Sequence, residues 1–170
     1  ALEAIGRLLA EGIESVAVCL LHAYANPAHE EALKALITGR NADIFVSASS
    51  DLLRQYREYE RTSTTVLNAY VGPVLATFVD ELRSFLGDGK FRGTAMAMQS
   101  SGGTMTLDLA KRQPVRMMES GPAAGALMSA HHGKALALPD ALSFDMGGTT
   151  AKGALVRGHA PLKKYEIEVA

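Results

Sequence analysis

The residues with the clearest chemical potential stand together late in the chain, as Asp145-Met146-Gly147-Gly148-Thr149-Thr150. Two glycines allow a backbone turn with accessible N–H groups, and without Cβ atoms they let a phosphate come close. Thr149 and Thr150 add hydroxyl donors, while Asp145 offers the hard oxygen that a magnesium ion prefers, usually through water. A carboxylate, magnesium and backbone donors together form a phosphoryl-transfer environment. The same string also suits a tight turn in which Asp145 bonds local N–H groups, because glycine pairs are common in hairpin turns.

Ser120-Gly121-Pro122-Ala123-Ala124-Gly125 opens a helix whose unpaired N–H groups could face a phosphate or carboxylate. Taken alone, the string is better explained by capping by Ser120 and close packing through small residues. The loop Ser100-Ser101-Gly102-Gly103-Thr104 has the same two readings. Arg61-Thr62-Ser63-Thr64-Thr65, followed by Asn68, is polar for the start of a helix otherwise committed to burial, so Arg61, Thr64 and Asn68 could line a cleft. Capping by Thr62 or Ser63, with Arg61 paired to Glu58 or Glu60, is the alternative. His22, His29, His131 and His132 do not form a zinc-ligand pattern. Cys19 lies in the apolar run 16–21 without a second cysteine, which suggests a buried, inert thiol in a reducing compartment. No Gly-x-Ser-x-Gly elbow is present, and Met96, Met98, Met117, Met118 and Met128 read as core filling.

These residues need elements to hold them. Leu2, Ile5, Leu8, Leu9 and Ile13 recur at helical spacing, and Ser15 to Leu21 reads as a buried strand. Asn26-Pro27 marks the start of a helix that stops at Gly39, and Asp43 to Ala48 reads as a second strand. That alternation predicts parallel neighbours with a helical crossover. Helix dominates from about Asp51 to Leu86, with a kink or break expected at Gly72-Pro73. Thr94 to Met98 reads as a strand whose C-terminal end carries the Ser100 loop, the edge at which ligands bind in open α/β sheets. Val115 to Met118 is expected as a small strand, and Ser120 begins a helix running toward His131 and Gly133. Ala141 to Phe144 and Gly153 to Val156 form a hairpin with the Asp145 string at its tip.

Composition bounds the function. The 170 residues are 48% hydrophobic and 21% charged, which describes a globular chain rather than a disordered one. Seventeen Lys and Arg against 18 Asp and Glu give a net charge of -1 without a basic run, so nucleic acid is a poor partner. Neither a membrane-length apolar stretch nor a signal peptide is evident, which makes the cytoplasm the expected compartment. The chain begins with Ala1, not Met, and ends without a terminating signal after Lys163 to Val169, so both ends read as internal to a longer protein.

Five strings in order resemble the hydantoinase A / 5-oxoprolinase family of the actin-like ATPase superfamily: residues 16–30, 59–70, 98–103, 119–125 and 144–150. The resemblance implies an α/β fold, an actin-like (ribonuclease H-like) core fragment with a mixed sheet and flanking helices. It makes residues 1–170 a central segment of the hydantoinase/oxoprolinase domain and residues 141–170 the start of a second ATPase-like subdomain. It also implies ATP and Mg²⁺ as cofactors and an activity that phosphorylates the oxygen of a cyclic amide before water opens the ring. Asp145 then serves as catalytic residue and metal ligand, with Gly147, Gly148, Thr149, Thr150, Ser120 and Gly121 at the nucleotide. Arg61, Thr64, Asn68, Ser101 and Gly102 are the candidates for substrate. Implied partners are a small cyclic amide and a hydantoinase B-type subunit or domain within an oligomer. The alternative is a non-hydrolytic assembly module or the ATPase subunit of a ketone carboxylase. The first phosphate loop of the family is not found, since no second Asp-x-Gly-Gly-Thr string occurs in residues 1–140. Two departures stand out: Lys152 occupies a position where the family pattern leads one to expect an acid, and the expected adenosine-binding segment would lie beyond Ala170.

Overall fold

The structure is a computed structural model that describes residues 1–162; residues 163–170, the end of the expected 141–170 segment, lie outside the described residues. The chain forms two compact units, one of residues 1–95 and 106–115, the other of residues 96–105 and 116 onward.

In the first unit, helix α1 (Leu2–Ala10) leads to strand β1 (Ser15–Val18), helix α2 (Ala28–Thr38) and strand β2 (Phe45–Ala48). β1 and β2 pair in parallel, Ser15 opposite Phe45 and Val18 opposite Ala48, and α2 is the crossover that parallel neighbours require. Ile5, Val18, Ile37 and Ile44 form the core beneath them, with Leu9, Ile13, Val16, Leu20, Leu33 and Val46 packed against it. β1 stops short of the expected Leu21, because the Leu20 N–H turns to the Glu30 carboxylate and His22 takes a left-handed φ of 59°. β2 runs directly into the short helix α3 (Ser49–Leu52).

Helix α4 (Glu58–Asp88) is continuous over 31 residues, so the break expected at Gly72-Pro73 does not occur. Gly72 answers to packing: a Cβ there would lie 2.4 Å from the Phe45 ring. Proline removes a single backbone donor, and the turns on either side persist. The helix buries a largely polar stripe and leaves large apolar side chains outside. Arg61, Thr65, Asn68, Gly72 and Val79 point inward, while Tyr70, Val74, Phe78 and Phe85 are exposed. Helix α5 (Leu107–Arg112) is capped by the Thr106 hydroxyl, which accepts from the Leu109 N–H at 3.2 Å. The small strand expected at Val115 to Met118 is instead a 3-10 turn, Pro114–Met117, since the leading proline fixes φ and lacks the donor a ladder needs.

In the second unit, β3 (Met96–Met98) and β4 (Thr104–Thr106) make a two-stranded sheet. Helix α6 (Ser120–Ala135) follows, then β5 (Ala141–Met146), β6 (Ala151–Arg157) and β7 (Ala160–Pro161) as an antiparallel sheet. The expected hairpin is present with longer strands, and β5 includes Asp145. Strand side chains alternate, so Ala141, Ser143 and Asp145 share a face with Val156, Ala154 and Lys152. α6 packs on that face: a Cβ on Gly125 would lie 3.7 Å from Ser143 Oγ, and Val156 is buried. The chain is thus a mixed α/β fold with one parallel pair, antiparallel strands and helices against both.

Candidate functional site

Asp145 stands one residue before the end of β5, on the side that faces α6. Its register partner on β6 is Lys152, whose Nζ lies 2.5 Å from Glu119 Oε2. Glu119 is the residue from which α6 departs, so the hairpin and the first turn of α6, with Ser120 and Gly121, are neighbours within one unit.

At the tip, the Gly147 N–H donates to the Thr150 carbonyl at 2.9 Å and closes the turn. Neither Gly147 nor Gly148 adopts a positive φ, and a Cβ on Gly148 would meet no atom within 4 Å. The turn therefore does not itself demand glycine at 148, where a side chain would stand in open space. Asp145, Gly147, Gly148, Thr149 and Thr150 are all exposed. Among the described residues no three His, Cys, Asp or Glu side chains converge as a metal cage. One carboxylate fits magnesium, which keeps several waters and shares its shell with phosphate oxygens, and does not fit an ion held by protein alone.

The Ser100 loop reaches the same helix start. Ser100 Oγ donates to the Arg116 carbonyl at 2.9 Å and accepts from the Glu119 N–H at 3.1 Å, so it fixes the approach to α6. Sequence reasoning passed over Ser100 in favour of its neighbours. Ser101 is exposed, and at Gly102, with φ 87°, an added Cβ would lie 3.2 Å from Leu127 Cδ1.

The remaining candidates lie in the first unit. Arg61 has no exposed surface. Its Nη2 donates to the Leu20 carbonyl at 2.6 Å and to Ser49 Oγ at 3.1 Å. The Ser49 hydroxyl in turn donates to Glu30 Oε1 at 2.7 Å, and Glu30 also accepts from the N–H groups of Leu20 and Ser50. A buried acid and a buried base are thus joined through one serine. Burial pushes the Glu30 carboxyl up, but its backbone and side-chain donors outweigh this and hold it below the ordinary value. Sequence reasoning missed Glu30. The available signal was its position on the helix face of Leu33 and Ile37, three and seven residues on. Cys19 is half-buried rather than enclosed by apolar neighbours, for Thr62 Oγ1 lies 3.1 Å from its sulfur and Arg61 Nη2 3.6 Å. Asn68 is buried, donating to Ser47 Oγ and the Arg112 carbonyl and accepting from the Val115 N–H. It lines a cleft of about 420 Å³ beside β2, with Lys34, Asp51 and Lys111 at the rim. Neither Arg61 nor Thr64 lines that cleft. No helix among the described residues is long and apolar enough to cross a membrane.

The family model for hydantoinase/oxoprolinase matches residues 61–170, and that for the hydantoinase/oxoprolinase N-terminal region matches residues 1–40. The chain belongs to the hydantoinase/oxoprolinase family. An uncharacterized protein of Methanocaldococcus jannaschii is 40% identical over 92% of this chain and 23% of its own length. The caprolactamase alpha subunit of Pseudomonas jessenii is 28% identical over 86% of this chain and 21% of its own. The crystal structure of that ATP-dependent caprolactamase superposes with a TM-score of 0.78 at 27% identity, over 90% of this chain and 22% of the other. The nucleotide-free acetone carboxylase structure superposes with a TM-score of 0.81 at 25% identity, over 93% and 22%. The chain therefore spans less than a quarter of the length of these relatives.

Proposed function

We propose that this chain is the nucleotide-binding part of an ATP-dependent cyclic-amide hydrolase with an actin-like core. The observation that carries the reading is the β5–β6 hairpin: Asp145 on the α6 side, directly before a tip whose Gly148 keeps open surface. Family membership supports it, as does the likeness to an ATP-dependent caprolactamase, whose name specifies a cyclic amide. Bound ATP with magnesium would supply the phosphoryl group that activates the amide oxygen toward ring opening.

The chain's own residues have distinct parts in this reading. Asp145 holds the hydrated metal through its carboxylate. Gly148, Thr149 and Thr150 offer N–H and hydroxyl donors to phosphate, and Ser120 and Gly121 present the start of α6 beside them. Ser100 positions that helix start. Arg61 and Asn68, both buried and internally bonded, form scaffold rather than substrate contacts. Thr64, Ser101 and Gly102 remain the candidates for substrate, and a partner subunit completes the enzyme, as the subunit name of the caprolactamase relative suggests. A second reading, the ATPase subunit of a ketone carboxylase, is favoured by the acetone carboxylase superposition.

The test is ATP turnover by the full-length protein with its partner subunit, measured with 5-oxoproline, a hydantoin or caprolactam and, separately, with acetone and bicarbonate. Stimulation by a cyclic amide supports the first reading and stimulation by the ketone the second. Asp145→Ala is expected to lower the stimulated rate by about 10²–10³-fold. Unchanged turnover removes Asp145 from the mechanism.

A further inference from the structure

Lys152 lies on the same sheet face as Asp145, directly across the ladder from it, and its ammonium is held by Glu119 at the start of α6. Both members of that ion pair are partly open to solvent, Lys152 at 42% and Glu119 at 31% of their side-chain surface. The Glu119 carboxylate makes no capping bond to α6, so its role in the structure is to neutralise Lys152. Asp145, Glu119 and Lys152 together bring two negative charges and one positive to the surface beside the tip.

We infer that Lys152 is a phosphate-contacting residue of the nucleotide site and that Glu119 is its resident counter-ion, displaced when the phosphate chain arrives. The inference rests on the nucleotide-binding reading of the hairpin and deepens it. A polyphosphate meeting Asp145 and Glu119 would face two like charges. Handing Lys152 from the carboxylate to a phosphate oxygen gives the ligand a point-charge donor of the kind that binds phosphates, while the Glu119 carboxylate is left to water. Exchange is favoured because a solvent-exposed ion pair is weakly held. The cross-strand position of Lys152 keeps its stem beside Asp145 whichever anion the ammonium meets.

Calorimetric binding of a non-hydrolysable ATP analogue, with magnesium, to the full-length protein and its variants tests this, with AMP as the reference ligand. Lys152→Gln is expected to weaken the triphosphate analogue by about tenfold or more while leaving AMP nearly unchanged, and Lys152→Arg to restore most of the loss. Glu119→Gln is expected to tighten the analogue by about two- to fivefold, and that gain should vanish in the double variant with Lys152→Gln. Equal weakening of AMP, an unchanged affinity in Lys152→Gln, or a Glu119→Gln gain that survives in the double variant overturns the inference while the nucleotide site stands. Absence of analogue binding to the unmodified protein instead removes the nucleotide reading itself.

Discussion

Glu30 shows what a single side chain can be asked to hold. Its carboxylate takes the Leu20 and Ser50 N–H groups and the Ser49 hydroxyl, and through Ser49 it is linked to the buried Arg61 guanidinium. Glu30→Ala leaves those donors unpaired and the buried Arg61 with the more distant Glu58 carboxylate, 3.9 Å from its Nη1, at an expected cost of about 3–5 kcal/mol. Glu30→Gln keeps one acceptor and the shape, and should cost about 1–3 kcal/mol. Chemical denaturation of both variants checks the order; equal and small losses would mean that water satisfies Arg61. Gly148 makes the opposite case, since a Cβ there meets nothing within 4 Å. Gly148→Val should leave the unfolding free energy within about 0.5 kcal/mol of the parent and still weaken nucleotide binding. A large stability loss would return that glycine to ordinary turn geometry.

At the scale of elements, α4 and the β5–β6 hairpin show where sequence is and is not sufficient. Period alone predicted the α2 crossover between β1 and β2 and the hairpin around Asp145, because both signals are local: an apolar run, a proline start, a glycine tip. Which stripe of α4 is buried was not legible, since the inward residues Arg61, Thr65 and Asn68 are polar, and the partners of Arg61 and Asn68, namely Leu20, Ser49, Ser47 and Arg112, lie far along the chain. The same distance hid Glu30 and made Cys19 look isolated from any basic group, although Arg61 is 42 residues away in sequence and 3.6 Å away in space. Lys152 was visible as an oddity, but its partner Glu119 was not. Gly72 is the clearest element-scale test. Gly72→Ala should destabilise by about 1–3 kcal/mol, because the Phe45 ring must move from a Cβ placed 2.4 Å away. Intrinsic helix propensity alone points the other way, with alanine favoured by about 1 kcal/mol. The sign of the change measured by thermal unfolding therefore decides whether packing or propensity placed that glycine.

For the molecule as a whole, the two units differ in how they should respond to acid. Burial raises the Glu30 carboxyl, but the N–H groups of Leu20 and Ser50 and the hydroxyls around it lower it further, so its folded value lies below its unfolded one. A group of that kind contributes stability above its unfolded value, and the contribution fades as pH falls through the folded one. The window is acidic, beginning below the ordinary glutamate value of about 4.3. All of the groups bonded to Glu30 lie in the unit of residues 1–95 and 106–115. Hydrogen exchange followed from neutral pH into that window should show protection lost first at the Leu20 and Ser50 amides and along α2 and β2. The β5–β6 ladder, whose α6-facing side is buried through Ser143 and Val156, has no such carboxylate in its interior among the described residues and should keep its protection longer. In Glu30→Gln the early loss should disappear, leaving the first unit less stable at neutral pH and less sensitive to acid. If both units instead lose protection together, in the parent and in the variant alike, acid acts through carboxylates other than Glu30, and the network around Arg61 does not govern the first unit's stability.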